Sequence, residues 1–224
     1  MPGTRIIANE LPGRLPPSVA PMIYLASRSP RRQALLAQLG IDCRLLIDDD
    51  EARAEALEQA RPGEPPARYV GRVALAKAQA ALERLAASAL PRAPLLAADT
   101  TVAIGGTLLG KPASREAAAG MLRSLSGRTH RVLTAVVVAD ATGRRLHAVT
   151  QISRVRFGRL KPAWIDDYVA SGEPIGKAGG YAIQGLAAAF VRRIDGSHSG
   201  IMGLPLYETA ELLRRVGYPA RTVS

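Results

Sequence analysis

The feature that most narrows what this chain can fold into is the junction at Leu25–Arg32, which reads Leu-Ala-Ser-Arg-Ser-Pro-Arg-Arg. The residues before it, 22–27, are apolar enough for a short buried strand. Ser29 is a good N-cap, and Pro30 suits the first helical position, where a missing N–H costs nothing. Leu35, Leu36 and Leu39 then give a helix over 30–39 its apolar face, and Gly40 falls where a left-handed C-terminal cap is wanted. A strand running directly into a helix is the unit of an α/β fold. The helix start would also aim free N–H groups and a partial positive charge at the point where Arg31 and Arg32 stand, so an anion, phosphate above all, is the natural guest. The spacing is neither that of a P-loop nor that of a dinucleotide fingerprint.

From Met22 onward the elements alternate. A strand over 42–47 leads to the acidic cluster Asp48-Asp49-Asp50-Glu51 and a Pro-rich loop, then to a long helix over about 67–88. Leu95–Ala98 reads as an apolar strand, and Thr101–Ile104 turns through Gly105-Gly106 onto Thr107–Leu109 as a hairpin. Ser114 caps a helix that stops at Gly127. Val132–Val138 turns at Asp140–Gly143 into a long strand, Leu146–Phe157. Pro162 opens a helix ending near Gly172, a Gly-rich loop follows to Gly185, a strand covers 187–194, and Pro205 opens a last helix ending at Gly217. Helices alternating with strands and hairpins predict α/β with a mixed sheet rather than a purely parallel one. The Pro-rich, aperiodic residues 1–21 are expected to be a flexible extension, 22–217 one domain, and 218–224 a short tail.

Composition sharpens the class of partner. The net charge is +11, which draws polyphosphates of any kind. The arginines are scattered, however, with no Lys/Arg block and no interleaved aromatics to stack bases, so a small anionic molecule fits better than a stable nucleic-acid partner. The lone Cys43 excludes an intrachain disulfide and reads as a small apolar strand residue. With no long apolar run and no secretory core near the start, the expected location is the cytoplasm, away from membranes.

Several residues conflict with their surroundings. Asp99 stands at the edge of a run that otherwise reads as buried strand, where a carboxylate needs turn N–H groups, a cation or a metal. Lys77 falls on the apolar stripe with Val70, Val73, Ala74, Ala81 and Leu85, so it must either snorkel or meet an anion. Lys111 is held between Gly110 and Pro112 just after the hairpin. Only four of the 30 cationic residues are lysines, which makes their positions informative. The acidic cluster could hold a divalent cation through oxygen ligands or be a solvated loop. The three histidines lack metal-ligand spacing, and His130, at the start of an apolar strand, reads as structural. The loop Lys177–Gly185 concentrates backbone freedom around Gln184 and can approach a ligand closely.

Taken together, the ordered segments Leu25–Arg32, Tyr69–Ala78, Ala98–Thr100, Gly110–Pro112, Leu125–His130, Lys177–Gly185 and Gly203–Leu206 resemble the Maf-type nucleoside triphosphate pyrophosphatases over roughly residues 22–217. The resemblance implies a mixed, twisted sheet with flanking helices. It also implies an elongated two-lobed domain with a central cleft, related to inosine-triphosphate pyrophosphatases, and commonly a homodimer. It implies hydrolysis of a nucleoside triphosphate to monophosphate and pyrophosphate with a divalent metal, Mg²⁺ or Mn²⁺. Asp99 matches the catalytic carboxylate, for water activation or metal ligation. Arg31, Thr100 and Gln184 match specificity positions of the dTTP/UTP branch; a sister branch, resembling 7-methyl-GTP pyrophosphatases, carries Glu in place of Gln184. Ser27, Arg32, Glu51, Lys77 and Lys111 match polar cleft residues, with Glu51 expected at the metal and the cations at the phosphates. Arg28, where a small residue is usual, and Gly176, where an acidic one is usual, depart from the pattern. A basic nucleic-acid-binding module and a cell-division interaction protein without turnover are the rival classes.

Overall fold

The computed structural model describes residues 22–47 and 50–219. The chain opens with β1 (Met22–Leu25), α1 (Pro30–Gln38) and β2 (Asp42–Leu45), with β1 and β2 parallel. Two further helices, α2 (Glu51–Leu57) and α3 (Pro66–Ala86), lead to the central strand β3 (Leu95–Ile104), which runs parallel to β1. After that the connections are antiparallel: β4 (Thr107–Leu109) folds back on β3, and β5 (Thr129–Ala139), β6 (Leu146–Phe157) and β7 (Val191–Asp195) complete the sheet. Its order is β2-β1-β3-β5-β6-β7, with β4 paired to β3 off this path. The remaining helices are α4 (Arg115–Leu125), α5 (Pro162–Ala170), α6 (His198–Met202) and α7 (Leu206–Arg215). This is the mixed α/β sheet with flanking helices that the alternation predicts.

The period-two alternation of a strand sorts β3 onto two faces. Leu95, Ala97 and Ala103 pack with Val70, Ala74, Ala78 and Ala81 of α3. Leu96 and Ala98 pack with Leu35 and Leu36 of α1 and with Leu212 and Leu213 of α7. A third cluster gathers Val102, Leu122, Leu125, Val155, Phe157, Tyr168 and Phe190 under α4 and α5. The residues of α3 that meet the sheet are mostly alanines, so helix and sheet approach closely.

Several elements differ from the sequence reading for identifiable reasons. The two strands expected around Asp99 are one continuous ten-residue strand, because the buried sequence carries on through Asp99 and Thr100. The acidic stretch expected as a loop starts a helix: Asp50 accepts a hydrogen bond from the Arg53 N–H and caps α2, while 48–49 lie outside the described residues. The strand expected at 187–194 begins with a 3₁₀ turn, Leu186–Phe190, and only Val191–Asp195 pairs with β6. The short helix α6 carries no apolar stripe long enough to announce itself. Ser29 has the extended backbone of an N-cap but makes no side-chain capping bond. Ser114, by contrast, accepts from the Ala117 N–H as expected. The Gly105-Gly106 turn forms with φ of 57° and 90°, a pair of left-handed positions that glycine tolerates. The expected extension over 1–21 and most of the tail over 218–224 lie outside the described residues.

Candidate active site

The cleft follows from strand lengths. β1 pairs with β3 only as far as Leu25–Leu96, and β4 takes up the same edge from Val102. Between them β3 has no strand neighbour on that side, and α1 begins beside the gap. This is the carboxyl end of a parallel strand, the usual place for a ligand in such sheets. A cavity of about 540 Å³ opens there, lined by the junction after β1, by Lys77, Asp99, Thr100 and Lys111, and on the far side by the loop carrying Lys177 and Gln184.

Strand parity divides the chemistry of β3. Asp99 shares the α3 face with Leu95 and Ala97, and meets Lys77. Lys77 Nζ donates to Asp99 Oδ1 at 2.8 Å and to Glu58 Oε1 at 2.7 Å. Lys111 Nζ donates to Glu58 Oε2 at 2.8 Å. The result is a chain of alternating charge, Asp99–Lys77–Glu58–Lys111. Asp99 is 7% exposed, so its carboxylate depends on that lysine, and the other oxygen, Oδ2, has no partner among the described residues. Burial pushes the Glu58 carboxyl up, but the charge of Lys77 and hydrogen bonds from Lys111 and Lys77 outweigh it and hold the group at about 2. Glu58 is therefore an anion at any working pH.

Thr100 points to the other face and meets Arg32, which α1 carries on its buried side. Arg32 donates from Nη1 to Ser27 Oγ at 3.0 Å, from Nη2 to Thr100 Oγ1 at 3.1 Å and from Nε to the Gly203 carbonyl at 2.8 Å. Burial lowers the Arg32 guanidinium from its ordinary value, with Asp99 opposing, yet arginine keeps its charge. Thr134 Oγ1 donates to the Gly200 carbonyl at 2.7 Å, which commits its only hydrogen. The 3.0 Å contact between Thr100 and Thr134 must then be donated by Thr100. The hydroxyl chain runs Arg32→Thr100→Thr134→Gly200, so Thr100 offers a ligand its one remaining lone pair but no proton. Arg31, at the mouth, donates from Nε to the Met202 carbonyl at 3.4 Å.

The opposite wall is the loop after α5. Gly185 N donates to Ala182 O at 3.0 Å and closes a tight turn with Gln184 near its tip. Gln184 is exposed, lines the cavity and has no side-chain hydrogen bond to another described residue. Lys177 also lines the cavity and donates to the Glu173 carbonyl. Burial, then the nearby Arg31, lowers the Lys177 ammonium from its ordinary value, with Glu173 opposing. Two cations crowding one wall suit an anionic guest.

Ser27, Arg31, Arg32, Lys77, Asp99, Thr100, Lys111 and Gln184 thus come together around one cavity. Asp99 and Lys77 resolve each other's anomaly: the buried strand carboxylate meets the lysine of the apolar stripe. Glu51 starts α2 with its side chain outside the described residues. The carboxylate that the structure brings to the lysines is Glu58, at the end of the same helix, which sequence reading passed over. Within the loop Lys177–Gly185 that the sequence points to, Lys177 also lines the cavity, while Glu173, outside the lining, supports that loop and had no sequence signal of its own. His130 does not itself line the cavity but sits, 1% exposed, directly behind the lining residue Tyr181, with Nε2 sharing a 2.8 Å hydrogen bond with the Tyr181 hydroxyl and its ring edge-on to Phe157 at 4.9 Å. Burial and Asp42 push the Cys43 thiol up, so it is a poor nucleophile.

Cleft and fold define a class, an α/β protein whose sheet-end pocket joins a buried and a half-buried carboxylate to a wall of cations that can hold a phosphate chain. The family described as Maf-like protein matches residues 22–216, and the chain belongs to it. A protein of Cupriavidus metallidurans named dTTP/UTP pyrophosphatase is 61% identical over 196 residues, covering 88% of this chain and 97% of that protein. A Burkholderia lata protein of the same name is 56% identical over 204 residues, covering 91% of this chain and 97% of its own length. The solved structure of the Staphylococcus aureus Ham1 protein overlaps 61% of this chain and 71% of its own at 14% identity, with a TM-score of 0.40.

Proposed function

We propose that this protein is a nucleoside triphosphate pyrophosphatase that hydrolyses dTTP and UTP to the monophosphate and pyrophosphate. The observation that carries the proposal is the chain Asp99–Lys77–Glu58–Lys111 beside Arg31 and Arg32 in one cavity, with Gln184 on its far wall. A volume of about 540 Å³ lies within the range of small-ligand pockets. Relatives covering nearly their whole length carry the name dTTP/UTP pyrophosphatase, which supports the substrate.

The reaction forms one P–O bond from water and breaks one between the α and β phosphates. Asp99 Oδ2 accepts the proton of the attacking water, while Lys77 on Oδ1 fixes the carboxylate's orientation. Lys77, Lys111, Arg31 and Arg32 offset charge gathering on the departing pyrophosphate. Gln184 reads the base: its amide donates to O4 and accepts from N3–H of uracil or thymine, a match unavailable to a carboxylate. The donor set also fits Mg²⁺ or Mn²⁺, since Asp99 Oδ2 is an open hard oxygen and such ions complete their shell with phosphate oxygens and water; Glu58, with both oxygens on lysines, would join only by exchanging one of them. Bound there, the metal would neutralise phosphate oxygens. The reading further proposes a cytoplasmic homodimer acting on free nucleotides rather than nucleic acid. Among the described residues no helix is long and apolar enough to cross a membrane.

Pyrophosphate release measured across dTTP, UTP, CTP, GTP and 7-methyl-GTP tests the reading. The expected outcome is preference for dTTP and UTP, with activity lost on chelation and restored by Mg²⁺ or Mn²⁺. Preference for a purine would overturn the base assignment, and undiminished turnover in excess chelator would overturn the metal.

A further inference from the structure

The tip of the Gln184 turn is bracketed by an unusual pair of side chains. On its N-terminal side, the Ala182 N–H donates to the Tyr168 hydroxyl at 3.1 Å. On its C-terminal side, the Leu186 N–H donates to Glu173 Oε2 at 3.0 Å. The two supports are joined, because the Tyr168 hydroxyl donates to Glu173 Oε1 at 2.8 Å. Tyr168 is buried on α5, packed edge-on against Phe190 at 5.2 Å, so the bracket is anchored in the core. Gln184 itself has no hydrogen bond to another described residue to orient its amide. Its aim is set by the turn backbone, and the turn backbone is held by this pair.

We propose that Glu173 and Tyr168 are positioning residues for base specificity: they fix the turn that presents Gln184 and thereby set discrimination between uracil-type bases and cytosine. The inference rests on the reading that Gln184 contacts the base. A Gln amide matches uracil in one orientation and cytosine when flipped, so it separates the two only where its stem is held so that the orientation with nitrogen opposite O4 and oxygen opposite N3–H is the one the base edge meets. A rotation of the turn by a few tens of degrees removes the match while leaving the phosphate end of the cavity untouched. Gly185 gives independent support. Its backbone, at φ −106° and ψ −151°, is open to any residue, yet a Cβ there would overlap the Glu173 carboxylate. Glycine is required by the bracket, not by the turn.

The test uses the full chain and measures kcat and KM for UTP and CTP on wild type, Glu173→Ala, Glu173→Gln, Tyr168→Phe, Gly185→Ala and Gln184→Glu. Expected for Glu173→Ala and Tyr168→Phe is a fall of about tenfold or more in the UTP-to-CTP ratio of kcat/KM, carried mainly by a raised KM for UTP. Glu173→Gln recovers part of the ratio, because its single carbonyl oxygen can still accept from Leu186 N–H. Gly185→Ala shifts the ratio in the same direction by displacing the carboxylate, and supplies the result if Glu173→Ala fails to fold. An unchanged ratio in the bracket variants, while Gln184→Glu alters it, overturns the positioning role and leaves the base reader standing. A uniform loss of kcat on both nucleotides shows a merely structural role and overturns it as well. If Gln184→Glu leaves the ratio unchanged, the base reading itself falls.

Discussion

One ammonium, that of Lys77, sits between two carboxylates, and its second partner decides what a substitution at Asp99 will do. Removing a buried charge usually strands its counter-ion at large cost. In Asp99→Asn, however, Lys77 keeps Glu58 at 2.7 Å, so the protein is expected to fold with little change in Tm. Turnover should fall by about 10²-fold or more, the usual scale for losing a catalytic base. Near-native kcat in a folded variant would remove Asp99 from the chemistry. Asp99 and Lys77 were legible in the sequence because each violates the apolar pattern around it. Glu58 was not, because it violates nothing locally; its partners Lys77 and Lys111 lie 19 and 53 residues away. A second residue-scale expectation concerns His130, which burial depresses from 6.5 to about 4. A base with a depressed folded value stabilises the fold fully above its unfolded value and progressively less as pH falls from 6.5 towards 4. The loss is on the order of 3 kcal/mol across that window. Denaturant unfolding between pH 7 and pH 4.5 checks it: His130→Gln should show a shallower decline than wild type, and parallel curves would contradict the assignment.

At the scale of elements, the question is what aims Glu58. It lies at the C-terminal end of α2, a seven-residue helix too short to hold its own position. The segment after it is strapped to α3 from two points. Tyr69 donates its hydroxyl to the Glu58 carbonyl at 2.8 Å, and Arg72 donates to the Gln59 carbonyl at 2.8 Å while forking onto Glu64 at 2.7 Å from both Nε and Nη2. Hydrogen bonds from Arg72 hold the Glu64 carboxyl down at about 2. Arg72→Ala is therefore expected to loosen the α2–α3 connection, speeding proteolysis there, to lower kcat/KM about tenfold, and to lower Tm as well, because the Glu64 side chain, 4% exposed, loses its counter-ion. Unchanged proteolysis and kinetics would show that α2 is held by other contacts. The elements the sequence made legible are those with punctuation: Pro30 and Gly40 around α1, Gly105-Gly106 in the hairpin, Ser114 before α4. Glu51–Leu57 is a good helix former with no apolar stripe, so its helix was hidden behind the acidic run that precedes it. The turn at Leu186–Phe190 reads like a strand because its alanines and Phe190 are apolar; only the bracket at Leu186 reveals why the backbone coils there.

At the scale of the whole molecule, a net charge of +11 is spread over arginines that mostly do not touch the cavity. Such a field raises the rate at which a tetra-anionic nucleotide arrives, and it is screened over about 10 Å at 0.1 M salt. The contacts inside the cleft are a different case, since Arg32 and Asp99 are buried and salt reaches them poorly. Capture and chemistry should therefore separate as ionic strength changes. Raising KCl from about 0.05 to 0.5 M is expected to lower kcat/KM for UTP roughly tenfold through KM, while kcat changes less than threefold. Single-stranded DNA at matched phosphate concentration should inhibit only weakly, because the arginines are not arranged as a stacking platform. Steady-state kinetics over a KCl series, with and without a short oligonucleotide, measures both. Strong competition by DNA would return the charge to a nucleic-acid role. A flat salt profile would assign capture wholly to Arg31, Lys77, Lys111 and their neighbours, leaving the distant arginines no part in substrate delivery.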